Sequence, residues 1–398
     1  MIRNCFITFI LFVNILFSQK TIAIIKPYNT NDYMSYAVYD LIQKNLIIHS
    51  KLQVRPIYSD NNFFKIKENI NKLTLENDVD ITLSYNITPF RDGYLIHYII
   101  FDISKPSEWI EDSIYSTEYS FFNSINAILK NIYPIRKDYS IKEEEYLSLI
   151  GYYNSILDNT NATTNNIYTS FYNFHNDNIY FNMDYLEYLM NLQTNSVDVD
   201  SIVTNFENNL GKNHHLYFYA LACSYYNKYR VDALKSDIDR SIHYYSRALS
   251  LKNNYYLYYR RIADAYIINN DYDSAKRAFE SSIYYNDYDS KIIRDFVVIL
   301  KRDISKNGND VIENLKRIIS IDTKDDDIIE ELARLYELIG DYDNAIFYYN
   351  KLLDVINYHL FIINNETKDA VAYDKYIAKR NRIRVHTDNL LKKINNFN

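Results

Sequence analysis

The sequence predicts a small α/β sandwich domain followed by an all-α right-handed solenoid, an α-α superhelix of repeated helical hairpins. Three observations predict it. Residues 20–135 alternate short apolar strand patterns with helical ones. From about residue 182 onward, small and aromatic residues recur at helical spacing and hold phase over several units. Gly and Pro are scarce, five each in 398 residues, which suits long helices joined by short connections.

At 398 residues the chain is too long for one ordinary core, so more than one domain is expected. A net charge of −7 argues against a general binder of nucleic acid or anionic membranes, since both require a cationic surface. The chain opens MIRNCFITFILFVNILFSQK, with Arg3 ahead of an apolar run at 6–17 and the small Ser18 after it. That is the pattern of a secretory signal peptide over residues 1–18, and the run is short for a membrane span. An uncleaved anchor is the alternative, because Leu16 is large for the position three residues before the cut. Cys5 precedes the apolar run and is not placed for lipid attachment; cleavage leaves Cys223 alone, a buried structural thiol with no disulfide partner. The expected location is the periplasm or cell envelope, near the membrane but not across it.

In chain order, 21–26 (TIAIIK) reads as a strand ended by Pro27, and 33–48 as a helix whose face carries Met34, Ala37, Val38, Leu41, Ile42 and Leu46. A second strand at 52–58 precedes a helix at 62–73, signalled by Asp60-Asn61. Strands at 78–88 and 94–103 are joined through Pro89-Phe90-Arg91-Asp92-Gly93, with Asp-Gly supplying the turn. An edge strand at 108–116 and a closing helix at 121–132 complete a β-α-β-α-β-β-β-α order.

The IAIIKP strand, the helix ending LIQKNL, the VDITLSYNI strand and the hairpin GYLIHYIIFDIS, with Asp102 and Trp109, resemble the N-terminal domain of the TolB translocation protein and its relatives. Asn86 stands where those relatives carry Gly, and Lys105-Pro106-Ser107 replaces their Thr-Gly turn. The resemblance implies a non-catalytic interaction or regulatory module. A helical linker region at 136–181 follows, with a helix at 143–157 and a polar loop at 159–166. That loop contains a glycosylation triplet at Asn161, a cheap match in an Asn-rich chain.

In 256–286, Ala263, Tyr266, Ala275, Phe279 and Ser282 fall at spacings that resemble the 34-residue tetratricopeptide repeat. Val297, Leu300, Val311, Leu315 and Ile318 continue the phase after a two-residue insertion near Asn307-Gly308, and Ala333, Tyr336, Ala345, Tyr349 and Leu352 follow. Upstream, Ala222, Tyr225, Ser241, Tyr245 and Ala248 fit if several residues are inserted between Lys228 and Lys235. The array is expected over 182–362, in units 182–214, 215–255, 256–289, 290–325 and 326–359, with a solvating helix over 363–398. That last helix carries Ala370, Tyr373, Ile377, Ile383, Leu390 and Leu391 on its better face; the alternative role for it is oligomerisation.

No catalytic constellation, cofactor site or metal site is expected. Five glycines leave no room for a phosphate-cradling loop, and His214-His215 reads as a helix-start pair facing solvent rather than as ligands. Asp325, Asp326 and Asp327 suit the N-terminal end of a helix. The resemblance implies that positions 2, 5, 9 and 12 of each first helix face a peptide groove. Its candidates here are Tyr219, Tyr226, Arg260, Asp264, Arg294, Lys301 and Arg334, aromatic passing into basic, with an acidic final unit. The Lys-Asn pair that some family members use as a carboxylate clamp is missing. The expectation is a non-enzymatic adaptor that grips a protein or peptide of acidic character. The alternative is a sensor whose α/β domain binds a small molecule and whose array relays it.

Overall fold

A computed structural model describes residues 20–26, 33–58, 67–117, 120–133, 178–192, 199–287 and 289–395. The signal peptide, the Asp60-Asn61 cap, the linker helix at 143–157 and the loop at 159–166 lie outside these residues. The chain groups into two compact units, one ending at Asp271 and the other beginning at Tyr272.

The first unit opens with β1 (Thr21–Lys26), α1 (Tyr33–His49), β2 (Gln53–Tyr58), α2 (Lys67–Glu76), β3 (Ile81–Phe90), β4 (Gly93–Asp102), β5 (Trp109–Ser116) and α3 (Phe121–Ile132). The five strands form one mixed sheet in the order β2-β1-β3-β4-β5. β1 runs parallel to β2 and β3, and the β3-β4-β5 pairings are antiparallel. Ile22, Ala23, Ile24 and Ile25 are all buried, so both faces of β1 are covered, as a parallel strand requires. Ala23 and Ile25 pack with Ile57, Leu73 and Val79, which brings α2 onto the sheet. Pro56 is tolerated because β2 is an edge strand.

The β3-β4 hairpin differs from the expectation. Pro89 and Phe90 stay in the ladder, opposite Tyr94 and Gly93, so the turn is Arg91-Asp92 rather than Asp-Gly. Arg91 takes the positive φ of 57° that a tight hairpin turn demands. Gly93 is needed for another reason: a Cβ there would lie 2.4 Å from the Ser116 carbonyl oxygen of β5.

The same unit continues through α4 (Ile179–Asn191), α5 (Asp200–Leu210), α6 (His215–Asp232), α7 (Lys235–Leu251) and α8 (Tyr256–Ile268). Helix α4 starts four residues before the expected 183 and is capped by Asn178, which accepts from Tyr180 and Phe181 N–H. Helices α6 and α7 have 18 and 17 residues, against 13 in α8, so the insertion between Lys228 and Lys235 lengthens a hairpin instead of forming a loop. Ser241 Oγ donates to the Ala222 carbonyl at 2.9 Å across that hairpin, a contact possible only because both residues are small.

Polar contacts tie the sheet to these helices. Lys44 on α1 pairs with Asp40 and with Asp184 on α4, and Asn45 Nδ2 donates to Tyr180 Oη at 2.9 Å. Lys252, just past α7, donates to the carbonyls of Ser50 (2.8 Å) and Leu52 (3.2 Å) between α1 and β2. The two histidines do not face solvent. His214 caps α6 and lies with Nε2 3.2 Å from the Ile48 carbonyl, while His215 is buried with Nδ1 2.6 Å from Tyr258 Oη.

In the second unit, α9 (Tyr272–Tyr285) is followed by α10 (Ser290–Leu300), α11 (Ile304–Ile321), α12 (Asp326–Leu338), α13 (Tyr342–Ile362) and α14 (Ala370–Asn395). The insertion near Asn307-Gly308 is absorbed into a 3-10 turn at Lys301–Asp303 and the first turns of α11. Asp289, Asp325 and Asp341 cap α10, α12 and α13. Ala275, Ala333, Ala345, Phe279 and Tyr349 are buried here, as Ala222, Ala248 and Ala263 are in the first unit. Tyr336 is buried as well, whereas Tyr225 and Tyr266 are half-buried. The turns after α8 and α12 close alike. Asn270 and Gly340 both take positive φ, and Asp271 and Asp341 each donate back to the carbonyl five residues earlier, Tyr266 and Tyr336 (both 2.9 Å). This is a Schellman closure, with Asn serving once in place of scarce Gly. Among the described residues no helix is long and apolar enough to cross a membrane.

Two outcomes follow. Ala333→Leu should destabilise the second unit by about 1–3 kcal/mol or more through overpacking, while Phe347→Ala, at 61% exposure, should change it by less than about 0.5 kcal/mol. Urea unfolding of the two variants checks this. The second concerns pH. Burial lowers the Lys252 pKa to about 7, so between there and its unfolded value only the unfolded chain binds the proton. Stability therefore rises with pH across that window, by at most about 1.4 kcal/mol per pH unit from this residue. Lys252→Met should flatten that slope in unfolding titrations run from about pH 7 to about pH 10.

Candidate protein-interaction surface

In the first unit, the helix face assigned to ligand is closed by its own residues. Glu187 on α4 accepts from Tyr219 Oη on α6 and from Arg261 on α8, whose Nη2 and Nε lie 2.6 and 3.1 Å from Oε2. Arg261 also reaches Asn191 Oδ1 at 3.1 Å and Asp264 at 3.5 Å. Around this core the Tyr219 ring packs on Tyr258 and Tyr245, with centroids 4.5 and 5.7 Å apart. Three successive first helices thus converge on one carboxylate. Burial disfavours the Arg261 charge, yet Glu187 holds its pKa well above the usual value; burial and the same carboxylate push Tyr219 well up.

These contacts correct part of the sequence expectation. Tyr219 and Arg260 are buried at 3% and 7% exposure, so neither is presented to an extended peptide. Tyr226 and Asp264 are half-buried, and burial together with the Asp264 charge pushes the Tyr226 pKa to about 12. Cys223 is fully buried, its thiol pushed up to about 12, which leaves it protonated and unreactive at neutral pH. Glu187 and Arg261 were not singled out from sequence. Arg261 sits next to Arg260, and the repeat template directs attention to the wrong member of the pair.

The second unit is different. On α10, Val298 is 62% exposed and Lys291 is exposed. Arg294 pairs with Asp325, and Lys301 pairs with Glu331 on α12. Arg334, exposed, pairs with Glu330 one turn earlier. The expected basic candidates are thus matched by acids of the same unit, so an acidic partner is not what their arrangement favours. The acids of α12 meet α14 instead. Lys379 Nζ lies 2.6 Å from Asp326, 2.9 Å from Asp327 and 3.4 Å from Glu330. Arg382 Nη2 reaches both Glu330 oxygens at 2.9 and 3.1 Å, and His386 Nε2 lies 2.8 Å from Glu337, which also accepts from Tyr349 Oη at 3.0 Å. Burial alone would lower the Lys379 pKa, but Asp326 and Asp327 hold it above its ordinary value. Burial would raise Glu337, yet hydrogen bonds from His386 and Tyr349 hold it low.

Paired helices closed at small residues define a helical-repeat protein. Residues 257–289 and 327–358 match the tetratricopeptide repeat family model, so the chain carries tetratricopeptide repeats, a class of protein-interaction scaffold. No curated protein matches the chain in sequence. Among solved structures, the chain is similar to MamA, with 18% identity, 40% of this chain and 88% of that one covered, and a TM-score of 0.32. It is similar to MamA from Desulfovibrio magneticus RS-1, with 15% identity, 42% and 97% covered, and a TM-score of 0.28. It is also similar to YrrB, described as a TPR protein with an unusual peptide-binding site, with 11% identity, 47% and 91% covered, and a TM-score of 0.30. Likeness at these values carries nothing about function.

Glu187→Ala should leave the buried Arg261 charge with only the longer 3.5 Å ion pair to Asp264 and cost up to about 3–5 kcal/mol. The double variant Glu187→Leu with Arg261→Met should recover most of that loss, measured by chemical unfolding of both.

Proposed function

We propose that this chain is a non-enzymatic, exported scaffold that holds a protein or peptide partner in the cell envelope. The observation that carries the reading is the tetratricopeptide repeats, with a hairpin closed at Ala222 and Ser241 and charged side chains on the first helices α10 and α12. Export rests on the opening pattern of Arg3, the apolar run at 6–17 and Ser18. The sheet domain, similar to the TolB N-terminal domain in its strand and hairpin sequences, acts as a non-catalytic module. It is held to the first repeats through Lys44–Asp184 and Lys252.

A second reading, ligand sensing, is favoured by one observation. Lys252, His214 and Asn254 all contact backbone carbonyls between Ile48 and Leu52, so a shift in that segment would be felt at the repeats.

Fractionation with affinity capture separates the readings. The scaffold predicts that the mature chain, shortened at its N-terminus by mass, co-purifies from the envelope fraction with a stoichiometric protein partner. Recovery of full-length chain from the cytosol without a partner would contradict it.

A further inference from the structure

Helix α14, 26 residues long, packs along α13 and meets α12 through ion pairs. Among its described side chains Ile383, Thr387 and Leu390 are buried, while Val371, Val385 and Leu391 are exposed. The ionic contacts with α12 come from Lys379, Arg382 and His386, three and four residues apart along one face, which meet Asp326, Asp327, Glu330 and Glu337. Glu330 and Glu337 occupy positions that the repeat template assigns to ligand. A helix of cationic, amphipathic character therefore already sits where a ligand would.

The chain changes course sharply where it enters α14. Helix α13 ends in a single π-helical turn at Ile363–Thr367, Lys368 then takes a left-handed φ of 53°, and Asp369 caps the new helix through Val371 and Ala372 N–H. π-Helical turns and left-handed non-glycine residues are uncommon, and they mark places where a helix changes course.

We propose that α14 is a displaceable strap, and that the α12 face beneath it receives a cationic amphipathic helix from a partner protein, with basic groups spaced as in Lys379, Arg382 and His386. This rests on the scaffold reading and names the class of partner. The strap acts as a built-in competitor. A partner helix binds only after α14 leaves, so its apparent affinity is reduced by the fraction of chains whose face is uncovered. The partner helix then takes over the cover of α13 as well as the ion pairs with α12.

The test uses the full chain and a fluorescent synthetic peptide with the sequence of residues 370–395. Binding to the unaltered chain should be weak. Lys379→Glu with Arg382→Glu in the chain should release its own strap and tighten peptide binding at least about tenfold, because the competition is removed. Adding Glu330→Lys to that variant should abolish the gain. A peptide carrying the same two reversals should fail on the strap-reversed chain and bind when Glu330→Lys is present. Circular dichroism of each variant shows that the repeats remain folded. Peptide binding that is absent from the strap-reversed chain, or equal for the native and reversed peptides, would overturn the proposal. Capture of a non-helical or acidic partner from the envelope would keep the scaffold reading and still overturn this one.

Discussion

The fold depends first on how closely two antiparallel helices approach. That distance is set where side chains are small: Ala222 against Ser241 in one hairpin, and Ala333 and Ala345, both buried, in another. A larger residue at any of them would wedge its hairpin open and disturb the buried rings of the same hairpin, such as Tyr245 and Tyr349. Everything else follows from hairpins that are thin and nearly flat-sided, and that must stack because each alone leaves an apolar face in water.

Stacking brings the charged faces of first helices together, and the two units handle this differently. In the first, charges go inside and are matched: Glu187 meets Arg261 and Tyr219, and Lys44 meets Asp184. Matched charges at such depth are costly to disturb, since removing one partner leaves the other desolvated. In the second, Asp326, Glu330 and Glu337 of α12 are matched by the C-terminal helix α14, and Glu330 is itself buried at 7% exposure while Asp327 is exposed.

The repeat was legible because a 34-residue period is stated many times over, and an error in one unit is corrected by the next. The order of elements along the sheet domain was legible because TIAIIK and the long apolar strands have few alternatives. What failed was local. The Asp-Gly pair pointed to a turn, but the strand pairing continues through Pro89 and Phe90 and hands the positive φ to Arg91. His214 and His215 look like surface residues until Ile48 and Tyr258 arrive from distant parts of the chain. Arg260 and Arg261 are neighbours, and only the position of α4 decides which one meets Glu187. The ligand face of α12 was found as an acidic unit, but its occupant was not. Nothing in the local pattern of 363–398 says that Lys379, Arg382 and His386 turn toward those acids.

A displaceable α14 leaves the charged face of α12 before the helices beneath it open. Amide hydrogen exchange on the full chain separates the two events. Helix α14 should exchange well before α12 and α13, and Glu330→Lys should accelerate α14 alone. Exchange of α14 at the same rate as α13, with Glu330→Lys accelerating both together, would contradict it.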